Sequence, residues 1–344
     1  MKHQSILGHL PLALSLGLLA SPVLAESLTG GQVLQEFNLV VIGNATSSSE
    51  VDGRSFIGGT LNGGIYAGHP SATPASDYAG LTVLGDAGNV QVNGFGAVIG
   101  GNLTNSIINS GSSAVFGNAS GNNFNGPAYV ATNGGNNFNG GQDASLANAT
   151  AVTASTSTDF GSVLTGLSTQ LSQLADTGST VVFDPYGKVT FNAVANAGGV
   201  AVFDLTGVDT AVFNAHEYQF NLNGATTLIL NSDELTPTIS ANFIGGGAQA
   251  IGAATLWNFY GATNLTINNQ FGGSVLAPLA AFSNYQNIEG GVFVNTLVQR
   301  GEIHLQPFNG QIPPVPEPES YALLLLGLGF LGVISRRRTS AYPA

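Results

Sequence analysis

The sequence predicts a mostly β fold: a β-solenoid-like body with one long α-helix beside it. Short apolar runs of three to six residues alternate with Gly and Asn, as in short strands joined by tight turns. A sandwich or a barrel would also fit this pattern. The motif Gly-Asn-Asn-Phe-Asn-Gly occurs at 121–126 and recurs at 135–140. Because stacked coils place equivalent residues above one another, this repeat favours the solenoid.

The predicted strands fall into two groups on either side of the helix. The first group comprises runs at 37–42, 54–57, 81–84, 91–92 and 97–99. The second group comprises β-branched or aromatic runs at 180–183, 200–203, 210–213 and 227–230, followed by a strand-rich block at 256–310. Both groups have the residue types that favour strands.

One segment has helical spacing and predicts a packing helix at about 159–176. Its apolar residues are spaced by three or four positions, at Phe160, Val163, Leu164, Leu167, Leu171 and Leu174. Thr158 or Asp159 can cap its start, and Gly178 lies at its end. Gly161 and Gly166 each cost about 1 kcal/mol in a helix, so we expect the helix to depend on docking against the β body.

Both ends of the chain are predicted to lie outside the folded body. Residues 1–25 have a positive start, an apolar run and small residues before Ala25, which predicts a signal peptide cleaved after Ala25. Residues 312–320 are a Pro-rich linker, and 321–338 are a hydrophobic helix with a basic tail. The apolar run of 321–334 would span about 21 Å as a helix, less than the bilayer core of about 30 Å.

The C-terminal segment resembles the PEP-CTERM sorting signal of Gram-negative bacteria. The residues that carry the resemblance are Val315, Pro316, Glu317 and Pro318, then the apolar run, then Arg336, Arg337 and Arg338. The resemblance implies an exosortase as partner and export to the cell surface or the extracellular matrix. The helix would lie transiently in the inner membrane, as a transmembrane stop-transfer segment with its arginines on the cytoplasmic side.

Composition excludes several classes of protein. Seven Lys and Arg stand against nineteen Asp and Glu, a net charge of −12, so no basic face is available for nucleic acid. Only Arg54, Lys188 and Arg300 are cations between the two terminal segments. The chain contains no Cys, which excludes a disulfide scaffold.

No catalytic or metal-binding motif is found, so we predict no enzyme activity, no metal site and no cofactor. The nearest carboxylate pairs are Asp204 with Asp209 and Asp233 with Glu234. Glu302 and His304 lie two apart on a presumed strand and hence on one face, most simply a solvated face, with an acid–base pair or half of a metal site as the alternatives. Structural calcium is the one cofactor that the Asp and Asn content would suit, although no calcium-loop motif is present.

The body, residues 26–311, resembles the choice-of-anchor A domain of bacterial surface proteins. The resemblance rests on the order of several blocks, which lie at 37–43, 51–54, 58–59, 159–160, 257–259, 273–278, 290–297 and 307–310. It implies a β-helical adhesin with a flanking helix. The 273–278 block is also similar to ice-binding solenoids, but regular Thr-x-Thr ladders are missing from the sequence.

The resulting hypothesis is an exported, non-enzymatic surface or matrix protein that acts in adhesion or biofilm cohesion. Extracellular polysaccharide is a candidate partner. Two alternatives stay open: a polysaccharide-active β-helix enzyme, which would need paired acids, and an ice- or surface-binding solenoid.

Overall fold

The computed structural model describes residues 26–313, so the predicted signal peptide and sorting segment lie outside the described residues. The described part contains short helices and one longer helix. The α-helices are α1 (Gly30–Glu36), α2 (Thr150–Ala154), α3 (Phe160–Ser172) and α4 (Asp209–Phe213), and the 3-10 helices are Ala144–Asn148, Ala248–Ala250 and Gly252–Ala254.

Short strands before α3 form what we call the N-terminal half, residues 39–143. They are β1 (Leu39–Val41), β2 (Ala45–Ser47), β3 (Glu50–Val51), β4 (Ser55–Ile57), β5 (Leu61–Asn62), β6 (Ile65–Tyr66), β7 (Leu81–Val83), β8 (Ala87–Gly88), β9 (Gln91–Val92), β10 (Ala97–Ile99), β11 (Leu103–Thr104), β12 (Ile107–Ile108), β13 (Ser113–Ser120), β14 (Asn123–Phe124), β15 (Ala128–Asn133) and β16 (Asn137–Phe138).

Strands after α3 form the C-terminal half, residues 180–304. They are β17 (Thr180–Phe183), β18 (Lys188–Asn192), β19 (Val200–Asp204), β20 (Glu217–Asn221), β21 (Thr227–Ser232), β22 (Thr238–Ile239), β23 (Asn242–Ile244), β24 (Thr255–Phe259), β25 (Asn264–Ile267), β26 (Phe271–Gly272), β27 (Ser274–Asn284), β28 (Ile288–Glu289), β29 (Val292–Gln299) and β30 (Ile303–His304).

Each coil of the body passes through three faces of parallel strands, which confirms the predicted solenoid. The first face contains β1, β4, β7, β10, β19, β21 and β24, and the second contains β2, β5, β8, β11, β22 and β25. The long strands β13, β15, β27 and β29 contribute to both of these faces. The third face contains β3, β6, β9, β12, β14, β16, β26, β28 and β30, with β18, β20 and β23 beyond them. Among the described strands, the β17–β18 pair is antiparallel.

The coils do not stack in chain order. The last coil of the C-terminal half lies against the first coil of the N-terminal half, where β29 pairs with β1 and β2, and β30 pairs with β3. We call this junction the seam. The N-terminal half therefore runs away from the middle of the solenoid, and α3 lies in the connection that leads to the C-terminal half. The C-terminal half then runs back to close on the first coil.

Helix α3 covers the first face across both halves. Its Phe160, Leu164, Leu167 and Leu171 pack against outward side chains of that face, which are Val40, Phe56, Val200, Val202, Ile229, Leu256, Leu276 and Phe293. Strands that are covered on both sides are buried throughout, as at 39–41 and 55–57, where the outward Val40 and Phe56 belong to the cluster that α3 covers. Asp159 caps α3 by accepting a hydrogen bond from the Ser162 amide at 3.1 Å.

Two buried amides fix α3 to the sheet. Asn258 donates to the Ser168 carbonyl oxygen at 2.9 Å and to Asn231 Oδ1 at 2.8 Å. Asn231 in turn donates to the Leu171 carbonyl oxygen at 2.8 Å. The helix therefore docks by polar contacts as well as by its apolar stripe, as buried amides require partners.

The structure confirms one further sequence prediction and corrects two others. The repeat is confirmed, because Asn123 pairs with Asn137 and Phe124 with Phe138 in adjacent coils. The flanking helix is present but ends at Ser172 rather than near 176. The strand predicted at 210–213 is wrong: these residues lie in α4, where Val212 and Phe213 both turn toward the core. A β-branched run of four residues does not by itself distinguish a strand from one helical turn.

Candidate functional site

The second face carries a long row of outward side chains, which we call the second-face row. Strand register places its nine members above one another in the order Thr238, Thr266, Ser283, Val298, Thr46, Asn62, Gly88, Thr104 and Ser120. All nine are partly or fully exposed. Six of them carry a hydroxyl and none is charged, so this row can bind a surface only through neutral hydrogen bonds and apolar contact.

A second line of polar residues flanks this row in the N-terminal half. Asn44, Thr60, Asp86, Asn102 and Asn118 are all exposed at equivalent positions of successive coils. Their side-chain oxygens accept backbone N–H groups of the next coil: Asn44 from Thr60 at 2.9 Å, Asp86 from Asn102 at 2.7 Å, and Asn102 from Asn118 at 2.9 Å. The flanking line is therefore held rigidly by the coils themselves.

Repetition gives the second face its shape. Adjacent coils are about 4.8 Å apart, so nine rungs extend over roughly 40 Å. The side chains point inward and outward alternately along each strand, as at Ala45, Thr46 and Ser47, where only Thr46 is exposed. The result is a long polar surface with regularly spaced hydroxyls.

The third face presents amides instead of hydroxyls. Asn109 donates to Asn93 Oδ1 at 2.9 Å, Asn125 donates to Asn109 Oδ1 at 3.2 Å, and Asn139 donates to Asn125 Oδ1 at 2.8 Å. Because each amide uses one donor and one acceptor on its neighbours, this ladder mainly satisfies itself. The amide groups of this ladder are therefore less available to a partner than the hydroxyls of the second-face row.

The structure brings the two predicted carboxylate pairs together at one corner, where β19 and β21 end. Asp209 is buried and accepts from Ser232 Oγ at 2.9 Å, while Glu234 accepts from Thr210 Oγ1 at 2.8 Å. Burial and the nearby carboxylates of Asp209 and Asp204 raise the pKa of Asp233. An adjoining cavity of about 280 Å³ is lined by Glu234 but not by the other three carboxylates. The corner is thus not a cleft flanked by two acids, which is the arrangement that glycoside hydrolysis uses.

The predicted Glu302 and His304 pair lies on one face as expected, but the surroundings differ from a simple solvated strand. His304 Nε2 lies 2.9 Å from Glu302 Oε2, and His304 Nδ1 lies 2.9 Å from Glu289 Oε1. Glu289 is buried. Glu289 could not be predicted as a partner, because it belongs to the preceding coil.

The sequence predicted no metal site and left structural calcium as the one alternative. Within residues 26–313, no group of three or more His, Cys, Asp or Glu side chains is arranged to hold a metal ion. The predicted sorting residues Val315–Pro318 and Arg336–Arg338 and the cleavage residue Ala25 lie outside the described residues.

Family comparison matches this architecture. A family model for a putative ice-binding-like adhesive domain matches residues 30–305, nearly the whole described body. The chain belongs to this ice-binding-like adhesive domain family. The resemblance to choice-of-anchor A domains is consistent with that membership. No curated protein and no solved structure matches the chain.

A second family model matches the C-terminal segment of this adhesive-domain protein. The PEP-CTERM protein-sorting motif covers residues 314–338, which implies sorting by an exosortase. The two matches together identify an exported cell-surface protein of Gram-negative bacteria. Within the described residues, no helix has the length and apolar character to cross a membrane.

The second-face row is the feature that sequence reasoning missed. Its first four members come from the C-terminal half and its last five from the N-terminal half, and Val298 and Thr46 are neighbours only because the seam joins them. A sixteen-residue offset was available as a signal, since Val83, Ile99 and Val115 are paired at that spacing. That offset shows the stacking within the N-terminal half but not the order of the two halves.

Proposed function

We propose that the mature body is an adhesin that attaches the cell, or the biofilm matrix, to extended hydroxyl-rich polymers through its second face. The observation that carries this proposal is the uncharged row of hydroxyls that runs through both halves of the solenoid. Hydroxyl groups both donate and accept hydrogen bonds, so they suit a neutral extracellular polysaccharide. A strongly acidic polymer suits it less, because the chain is itself acidic and like charges repel.

Regular spacing supports adhesion rather than the binding of a small ligand. A single hydrogen bond adds only about 1 kcal/mol net. Rungs repeated along one face allow many such bonds at once, and linked weak contacts multiply in strength when they engage together. This mode of binding needs no cofactor.

The test is attachment by cells that lack the gene and are complemented with variants of the full chain. In Thr46→Lys/Thr104→Lys, two bulky charges interrupt the second-face row, and we expect attachment to fall toward that of the gene-less cells. The control is Asn109→Lys/Asn125→Lys on the third face, which should attach like the wild type. Immunoblots of surface protein must show equal amounts. Equal attachment by both variants would contradict the proposal.

A second candidate function is binding to ice. The regular hydroxyls of the second-face row favour it, and the family to which the chain belongs is described as ice-binding-like. Thermal hysteresis of the purified protein tests this candidate, and the Thr46→Lys/Thr104→Lys variant should abolish any hysteresis found. Loss of hysteresis in that variant with unchanged attachment would favour ice binding over adhesion.

We also propose that the body does not catalyse a reaction. The buried and engaged position of Asp209 supports this, as does the lack of a cleft shared by the corner carboxylates. Assays against uronates, neutral glycans and peptides should show no turnover. Turnover that disappears on changing Asp204, Asp233 or Glu302 would support the enzyme alternative.

We also propose that an exosortase cleaves the C-terminal sorting segment. An exosortase would recognise Val315–Pro318 just outside the inner membrane, where prolines keep the backbone extended and poor in donors. Replacing Pro316, Glu317 and Pro318 with alanine should trap an uncleaved, membrane-bound form. Replacing Arg336–Arg338 with serine should weaken the stop-transfer and release an uncleaved precursor. A wild-type cell-surface protein that still carries Arg336 would contradict processing.

A further inference from the structure

Ionisable side chains concentrate at the seam between the two halves. The first coil contributes Glu50 and Asp52, with His69 3.1 Å from Asp52. The last coils contribute Glu289, Glu302 and His304. The two nearest Arg side chains are engaged elsewhere. Arg300 lies over the Tyr285 ring, 4.7 Å from its centroid, and Arg54 donates to the carbonyl oxygens of Tyr78, Glu36 and Pro74. The carboxylates at the seam therefore face histidines.

The geometry at His304 requires an extra proton. Both ring nitrogens lie 2.9 Å from a carboxylate oxygen, Nδ1 from Glu289 and Nε2 from Glu302. A neutral imidazole has one N–H, and an ionised carboxylate only accepts hydrogen bonds. Both contacts can therefore be hydrogen bonds only if the ring carries two protons or if one carboxyl is protonated.

The surroundings of Glu289 place that proton on the ring. Glu289 Oε1 also accepts from Gln270 Nε2 at 2.7 Å, and Glu289 Oε2 accepts from Gln306 Nε2 at 3.1 Å. Both oxygens are thus acceptors, as expected of the ionised form. Because Glu289 is buried, its charge needs a partner of opposite sign. Protonated His304 is that partner.

The strand that carries His304 also forms the junction with the first coil. The His304 carbonyl oxygen accepts from Asn38 Nδ2 at 3.0 Å, and the Leu305 amide donates to Asp52 Oδ2 at 2.9 Å. The Asp52 amide donates to the Ile303 carbonyl oxygen at 3.0 Å. A change at the His304 ring therefore acts on a segment that is bonded directly to the N-terminal half.

We propose that His304 is a proton-dependent latch: its protonated ring holds Glu289 and Glu302 together, and loss of the proton weakens the seam between the two halves. Without the proton, one of the two carboxylates loses its donor and buried Glu289 loses its counter-charge. The neutral ring can instead accept from Asn287 Nδ2, which lies 3.3 Å from Nε2. Because the protein is exported, the latch responds to the pH outside the cell.

The direction of the pH dependence follows from the surrounding groups. Burial by itself would lower the pKa of His304, but hydrogen bonds to Glu302 and Glu289 and the charge of Asp52 outweigh burial and raise it. A raised pKa in the folded state stabilises the seam fully below the ordinary histidine value of about 6.5, and this stabilisation is lost as the pH rises through the folded value. Burial, Asp52 and Glu302 also raise the pKa of Glu50, which acts in the same direction.

Hydrogen exchange measured by mass spectrometry on the full-length protein tests the latch. Protection of the seam segment that contains Leu305 is compared with that of 97–115, a segment away from the seam, between about pH 6 and about pH 9. We expect the ratio of the two protection factors to fall by about tenfold or more in the wild type. A ratio that does not change with pH would overturn the proposal.

Three variants separate the latch from a merely structural role. Glu289→Gln removes the buried charge, so it should keep the fold and lose the pH dependence of the ratio. His304→Gln should also lose it, and His216→Gln, an exposed histidine outside the seam, should retain it. In an NMR titration, His304 should lose its proton at a higher pH than histidine in the urea-unfolded chain. Titration at or below the unfolded value would also overturn the proposal.

Discussion

The two halves of the solenoid are filled in different ways. In the N-terminal half the interior is mostly aliphatic, with Val83, Ile99 and Val115 stacked at sixteen-residue spacing. In the first coils of the C-terminal half, Val200 pairs with Thr227 and Leu228 with Thr255, an offset of twenty-seven residues. The interior of these longer coils is filled by packed aromatic rings, which are Phe191, Phe203, Tyr218, Phe220, Trp257, Phe259 and Phe271.

Coil length therefore determines which side chains can close the core. A wider coil encloses more volume, and protein interiors must be filled to near-crystalline density. Large rings supply that volume and pack edge to face. The coils of the N-terminal half enclose fewer rings, such as Tyr66 and Phe124, and are also held together by amides, such as Asn122 and Asn136. We expect damage to the aromatic cluster to cost more stability than damage to the amide ladders.

The largest effect should come from Trp257→Ala. Trp257 is fully buried, contacts the rings of Phe191, Tyr218 and Phe271, and donates to the Gly272 carbonyl oxygen at 3.0 Å. Its removal should lower the free energy of unfolding by about 3–5 kcal/mol. Urea unfolding measures this loss, with the exposed Tyr186→Ala as the matched control. A loss no larger than that of Tyr186→Ala would mean that the aromatic cluster does not stabilise the wide coils.

Helix α3 packs against both halves from outside the solenoid, so a substitution in its buried stripe tests how much this docking stabilises the body. Leu167 is buried between α1 and the first face, where its side chain lies against Gly30. Leu167→Asp buries an unpaired charge and should cost roughly 3 kcal/mol. Thr169→Asp puts the same charge on the exposed side of the helix and should change the unfolding temperature little. Equal unfolding temperatures for the two variants would show that α3 is not docked.

A smaller effect is expected from Asn122→Ala in the N-terminal half. The buried Asn122 amide donates to the Leu103 carbonyl oxygen at 2.9 Å and accepts from the Ser106 amide at 2.9 Å. The variant leaves both backbone groups without their partner, at a cost of about 1–3 kcal/mol. Thermal unfolding measures this cost. A loss as large as that of Trp257→Ala would contradict the expected difference between the halves.

The parts of the fold that could be predicted from the sequence are those with local signals. Gly-flanked short runs and the recurring Gly-Asn-Asn-Phe-Asn-Gly were enough for the solenoid, and a stripe of leucines was enough for α3, because both signals are local. The order of the coils was not predictable, since β29 meets β1 only through contacts between residues about 250 positions apart. Helix α4 was missed because Val212 and Phe213 have side chains that suit a strand equally well.

The candidate sites also could be predicted only where their residues lie close together in the sequence. Glu302 and His304 could be paired from strand spacing, because they lie two residues apart. Glu289 could not, since it reaches His304 from the neighbouring coil. The second-face row could not be predicted for a related reason, because Thr46 and Val298 become neighbours only at the seam. Surfaces built from several coils require the axial order, which no single segment of sequence contains.

The smallest effect should come from Asn109→Ala on the exposed amide ladder of the third face. Asn109 donates to Asn93 and accepts from Asn125, so its side chain makes two hydrogen bonds against the three of Asn122. Water can replace both partners, however, because Asn109 is exposed. We therefore expect a change within about 0.5 kcal/mol, measured by thermal unfolding beside Asn122→Ala. A loss comparable to that of Asn122→Ala would show that the ladder acts cooperatively along the stack and that burial does not decide the value of an amide in these coils.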